Sequence, residues 1–201
     1  MRWSLILVAA GPALLLAGLG LTHPHDLTSG SADWWTTLHV LLLPLFPLLG
    51  VVCWLLLRGV PGVEAWVGRL AAFGYIAFYT ALDVLAGVGT GTLVQRLGED
   101  AAGEEVGALF AAGNELGTIG TWCFLVACLA TSAAIVRWVG RGALPGAVVL
   151  VAAALSFLDS HIYWPVGVLT MVGLAVGFGL LAASLPVAER EPAAASPSQP
   201  G

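Results

Sequence analysis

In 201 residues the chain is 59% hydrophobic and only 9% charged, against roughly 25% charged in a soluble domain, so lipid must cover much of its surface. A formal net charge of −5 leaves no basic patch to neutralise phosphates, which excludes nucleic acid as a partner. All seven basic residues are arginine, and the abundance of Ala, Gly, Val and Leu is the coding bias of a GC-rich genome, so a bacterial plasma membrane is the expected location.

A spanning helix needs roughly 20 mostly apolar residues, and six windows supply them: 3–21, 35–57, 66–89, 114–136, 146–164 and 166–185. The expected fold is therefore all-α, a polytopic bundle of six transmembrane helices over residues 1–187. The first window is also weighed as a signal peptide, but Gly18-Leu19-Gly20-Leu21 is a poor cleavage site. Links at 58–65 and 137–145 are short and rich in Gly and Pro, and Pro165 separates the last two spans almost without a loop. The link over 90–113 is the longest; its acids and scattered apolar residues suggest a segment lying on the membrane surface. Residues 188–201 are Pro, Ala and Ser, the composition of a disordered cytoplasmic tail.

Arginine placement orients the bundle. With the N-terminus inside, Arg2, Arg58, Arg69, Arg137, Arg141 and Arg190 are cytoplasmic and only Arg96 is outside, so both ends face the cytoplasm. Asp26, Asp33, Glu99, Asp100, Glu104 and Glu105 all fall outside. Cys53, Cys123 and Cys128 lie in apolar runs with no Cys-x-x-Cys spacing, as small buried hydrophobes do.

Ionisable residues inside spans are costly and mark sites or pathways. Here they are His39, Asp83, Glu115, Asp159 and His161, and at about 1.5 Å per residue all five fall in the outer half of the bilayer. Tyr75, Tyr79 and Asp83 recur every four residues and so share one helix face. Asp159 and His161, two apart, diverge on a regular helix unless its end unwinds before Pro165. Two imidazoles and a carboxylate, His39, His161 and Asp83, make a ligand set for zinc or another divalent metal with a position left for water. On that expectation Glu115 or Asp159 is the base or an outer support, Tyr79 orients Asp83, and the bound water attacks a lipid-borne ester or amide.

Three alternatives stand beside it. The polar residues form a hydrogen-bonded knot locking the helices of a transporter or an accessory or structural subunit; or Asp83 carries a proton or cation along a path, for which Tyr75, Thr131 and Ser132 are the inner-half candidates; or His39 and His161 hold a haem. His23-Pro24-His25-Asp26 is a separate loop signal that leads directly to His39 and suits a cap over the site.

As residue types, His39, Asp83 and His161 faintly resemble the ligands of membrane-embedded zinc hydrolases such as the alkaline ceramidases and progestin-receptor-like proteins. The resemblance covers no continuous segment, and that family has a seventh span and a further histidine pair that this chain lacks. No Walker loop, His-Glu-x-x-His or Gly-x-Ser-x-Gly is present.

Overall fold

The computed structural model describes residues 2–100 and 102–186, so the expected tail lies outside the described residues. All described elements are helical: α1 (Arg2–Gly20), α2 (Ala32–Leu56), α3 (Val63–Leu97), α4 (Gly103–Val139), α5 (Leu144–Phe157) and α6 (Val166–Ser184). Five of these, all but α5, are long and apolar enough to cross a membrane. Their outward faces carry bare apolar side chains: Leu7 is 70% exposed, Leu70 67% and Phe73 61%. Water would penalise such a surface and acyl chains do not. The chain is a helical membrane bundle.

Two windows end differently from expectation. The third span runs on through 90–97, and α4 begins at Gly103, so most of the expected surface segment is the continuation of two long helices joined by a turn at 98–102. At 35 and 37 residues, α3 and α4 are longer than the roughly 30 Å hydrocarbon core requires. The ends of the two helices nearest that turn carry Arg96, Glu104 and Glu105. The fifth window, conversely, is helical only to Phe157; residues 158–165 leave the helix and reach α6 through Pro165.

That non-helical stretch is held by close backbone approach. The Ile162 backbone lies between Gly20 at the end of α1 and Gly167 at the start of α6, and a Cβ on either glycine would run into it. Irregular backbone at the edge of a bilayer is tolerated where protein buries it or where it lines a wet cavity. Here both conditions hold, because Asp159, His161 and Tyr163 lie on a cavity wall.

α3 departs from α-helical geometry over Asp83–Gly89, which is π-helical. Such wide turns recur at functional sites because they re-aim side chains and loosen the backbone ladder. In this segment the Gly87 carbonyl accepts the Trp35 indole N–H at 3.1 Å, joining α2 to α3 inside the bundle. Thr90 Oγ1 donates back to the Ala86 carbonyl at 2.6 Å. Gly87 also lets the His39 ring lie on the α3 backbone, since a Cβ there would overlap the imidazole.

The middle of the bundle is closed by rings. Phe46, Tyr75, Tyr79, Phe124 and Phe157 are each at most 1% exposed, and neighbouring centroids such as Tyr75–Phe124 stand 4.6 Å apart. Tyr75 donates its hydroxyl proton to the Phe46 carbonyl at 3.1 Å. At the inner end Arg69 donates to the Leu57 carbonyl, capping the end of α2, and Arg137 pairs with Glu64 between α4 and α3. Cys53 and Cys128 are buried and Cys123 half-buried, all as free thiols.

Because a Cβ on Gly87 would overlap not only the His39 ring but also His39 Cβ, close to the α2 backbone, Gly87→Ala is expected to destabilise the bundle by about 1–3 kcal/mol, the usual cost of overpacking. Gly18→Ala, whose added methyl meets nothing within 4 Å, is expected to be neutral. Thermal unfolding of the two variants in the same detergent checks the contrast.

Candidate functional site

A cavity of about 250 Å³ sits toward the end of the bundle that holds the α1–α2 loop and the 158–165 stretch. Five elements build it. The α1–α2 loop brings His23, α2 brings Trp35, His39 and Phe46, and the π-helical segment of α3 brings Asp83 and Gly87. From α4 come Phe110, Asn114, Thr118 and Thr121, spaced as one helix face, and the stretch after α5 supplies Asp159, His161 and Tyr163.

The structure therefore brings His39, Asp83, Asp159 and His161 to one wall system and adds His23. Unwinding after Phe157 resolves the angular conflict between Asp159 and His161, which both reach the cavity. Glu115 is exposed and is absent from the cavity wall, since the α4 face that lines it runs through its neighbours Asn114 and Thr118. Tyr79 is buried beneath the wall; its hydroxyl makes no hydrogen bond, to Asp83 or to anything else.

The histidines have defined chemistry. His39 Nδ1 lies 2.8 Å from the Trp35 carbonyl, and His23 Nδ1 lies 2.7 Å from the Pro24 carbonyl. A carbonyl only accepts, so each Nδ1 carries the proton and each Nε2 is left as a lone-pair base. A backbone carbonyl behind the ring is also the usual outer support of a metal-ligating histidine. The His23 and His39 rings meet edge to face with centroids 5.2 Å apart. His161 stands over the aromatic floor, 5.4 Å from the Tyr79 ring and 5.5 Å from that of Phe157.

Asp83 is 4% exposed, and its Oδ2 has no hydrogen-bond partner. A buried carboxyl with an unpartnered oxygen is costly, and costlier in a bilayer than in a soluble core. Among the described residues no arginine lines the cavity to compensate it. The wall thus offers imidazole nitrogens, carboxylates, an amide and hydroxyls, and no cationic side chain.

These side chains do not form the interlocked knot that is one of the sequence alternatives. No hydrogen bond joins His39, Asp83, His161 and Tyr79 to one another; the cavity separates them, and the helices are tied instead through Trp35 and Tyr75. Nor do they converge on a point. Among the described residues no three His, Cys, Asp or Glu side chains stand close enough to share one bare ion.

Burial pulls the His23 pKa from 6.5 to about 4; the Pro24 carbonyl bond opposes the shift, and repulsion from His39 and His25 adds to it. The packed loop therefore keeps His23 neutral while an opened loop protonates it below pH 6.5. Opening takes up a proton in that window, so the packing of the α1–α2 loop weakens as pH falls from 6.5 toward 4. Amide hydrogen exchange over residues 21–31, corrected for intrinsic rates, is expected to show less protection at pH 5 than at pH 7. In His23→Gln the difference is expected to vanish, and equal protection at both pH values in the parent would contradict the shift.

No protein-family model matches the chain, and neither a curated protein nor a solved structure does.

Proposed function

We propose that this membrane protein takes up a hydrated divalent transition-metal cation in the outer cavity, with His23, His39, His161 and Asp83 on the wall that receives it. The observation that carries the reading is the Asp83 oxygen, buried and without a partner, in a wall that holds imidazoles and no cationic side chain. A cation offsets that carboxylate, and imidazole nitrogen selects Zn²⁺ or its neighbours over Mg²⁺ or Ca²⁺.

The cavity has space for about eight waters at roughly 30 Å³ each. That suits an ion that enters hydrated and exchanges part of its shell for Nε2 atoms as the wall closes on it, in keeping with the spread of the ligands. With the arginine-rich ends in the cytoplasm of a bacterium, the site faces outward. The packed rings beneath the cavity favour binding over conduction. Asp159 is the one remaining carboxylate on the wall and would serve as base if the bound water is a nucleophile, but the proposal rests on binding.

Equilibrium dialysis of tag-free protein in detergent against Zn²⁺ tests it. One Zn²⁺ per chain is expected. His39→Ala, His161→Ala, His23→Ala and Asp83→Asn should each weaken binding at least about tenfold, or 1.4 kcal/mol, while Glu115→Gln leaves it unchanged. Zn²⁺ uptake that is substoichiometric, or equal in His39→Ala and the parent, would sink the proposal.

A further inference from the structure

α5 is too short to cross a bilayer. Its 14 residues rise about 21 Å, against a hydrocarbon core of roughly 30 Å. Past its end the wall beside α4 is left to the non-helical 158–165 stretch. Three residues that line the cavity are also exposed on the molecular surface: Asn114 and Thr118 on α4, and Asp159 just beyond α5. The cavity therefore opens sideways, between α4 and the end of α5.

That opening lies at the depth of lipid heads. Thr118 is 19 residues from Arg137 along α4, or about 28 Å from the arginine-bearing end, close to the far edge of a roughly 30 Å hydrocarbon core. One turn deeper, both flanks become apolar. On α4, Trp122 (56% exposed) and Val126 (42%) follow Thr118 at a spacing of four, and so share its face. On α5, Leu155 (52% exposed) stands about one turn before Asp159. Polar side chains at the opening thus give way to bare apolar ones below it, the profile that an amphiphile presents.

Inside the cavity, acceptors outnumber donors. Asp83 is 4% exposed and its Oδ2 has no partner. The Nδ1 atoms of His23 and His39 are committed to carbonyls, which leaves their Nε2 atoms as acceptors. The Thr118 and Thr121 hydroxyls donate to carbonyls of their own helix. Among the described residues no arginine lines the cavity. Such a wall repels an anionic head and suits a cationic one that carries N–H donors. A quaternary ammonium has none to give, whereas a primary ammonium has three. The acceptors surround about 250 Å³ and do not meet at a point, which fits a group of several atoms. We infer that the cavity admits, through the opening between α4 and α5, the primary ammonium head of a membrane amphiphile. Asp83 is its counter-ion, and its tail stays in the bilayer along Trp122 and Val126. This inference goes beyond the metal reading and does not rest on it; the two share only the Asp83 charge, and ion and ammonium head exclude each other.

Radiolabelled tetradecylamine, bound at pH 7 to the bead-immobilised full chain in non-ionic detergent, tests it. One amine per chain is expected. Unlabelled tetradecanol and tetradecyltrimethylammonium should compete at least about tenfold more weakly than unlabelled tetradecylamine, and Asp83→Asn should weaken binding by at least the same factor, as loss of a charged hydrogen-bond partner does. Thr118→Trp fills the opening at an exposed position, where a larger side chain leaves the fold intact, and should weaken binding to a similar extent, whereas Thr118→Ser should match the parent. Competition by phosphatidylethanolamine as strong as by the amine would support the inference with a two-chain phospholipid as occupant; competition by the amine alone would support it with a single-chain base. Equal binding in Asp83→Asn and the parent, or tetradecanol competing as well as the amine, overturns the ammonium site. Undiminished binding in Thr118→Trp overturns access from the bilayer. A parent that binds the amine but takes up no Zn²⁺ upholds this inference and sinks the metal reading alone.

Discussion

A backbone carbonyl inside a bilayer has no water to turn to, so a helix that leaves α-geometry there must find its partners within the protein. At Asp83 the third helix widens, and the Gly87 carbonyl in the widened segment is met by the Trp35 indole. That bond, worth about 0.6–2 kcal/mol in a membrane, fixes more than two helices. It sets the height of α2 against α3, and the absent side chain at Gly87 lets His39 settle one turn below Trp35 beside the same backbone. His39 in turn donates to the Trp35 carbonyl, so one residue organises both the helix contact and the tautomer of the ring. Asp83 opens the same widened segment, and its position in the wall follows from it.

The rest of the outer end repeats this use of irregular backbone. Residues 158–165 give up helical hydrogen bonds, are clamped at Ile162 by the two flanking helices, and deliver three polar side chains where a regular helix would deliver one or two. The loop after α1 folds back so that His23 meets His39 and Tyr163. Beneath them the packed rings supply the rigidity that the polar end lacks. The bundle thus combines a ring-packed middle with an acceptor-rich cavity toward one end.

Much of this was legible in the sequence, and the reasons differ by residue. The bundle follows from composition, and the depth of His39, Asp83 and His161 follows from counting along apolar windows, because a 1.5 Å rise leaves little freedom once a span is fixed. The face holding Tyr75, Tyr79 and Asp83 follows from period four, and all three are buried. Glu115 illustrates the limit of counting: its depth matches the cavity, but rotation about α4 is set by packing, and the wall falls to Asn114, Thr118 and Thr121. That face had a signal, polar residues at i, i+4 and i+7, which a single charged residue outweighed. The helical continuation over 90–97 and from Gly103 was hidden because glycines and charges read as a link, whereas two helices packed side by side can run on into water. The π-helical segment and the fold-back of His23 depend on tertiary contacts with no local signature.

In the proposed cation site, imidazole nitrogen of the cavity wall holds the metal. An X-ray absorption spectrum at the zinc edge of the Zn²⁺-loaded, tag-free protein addresses it directly. Nitrogen scatterers at about 2.0–2.1 Å are expected, with the outer-shell multiple scattering of imidazole, reduced in amplitude in His39→Ala. A first shell of oxygen alone, with no imidazole scattering, would contradict it and return the cavity to a polar hollow with no metal of its own.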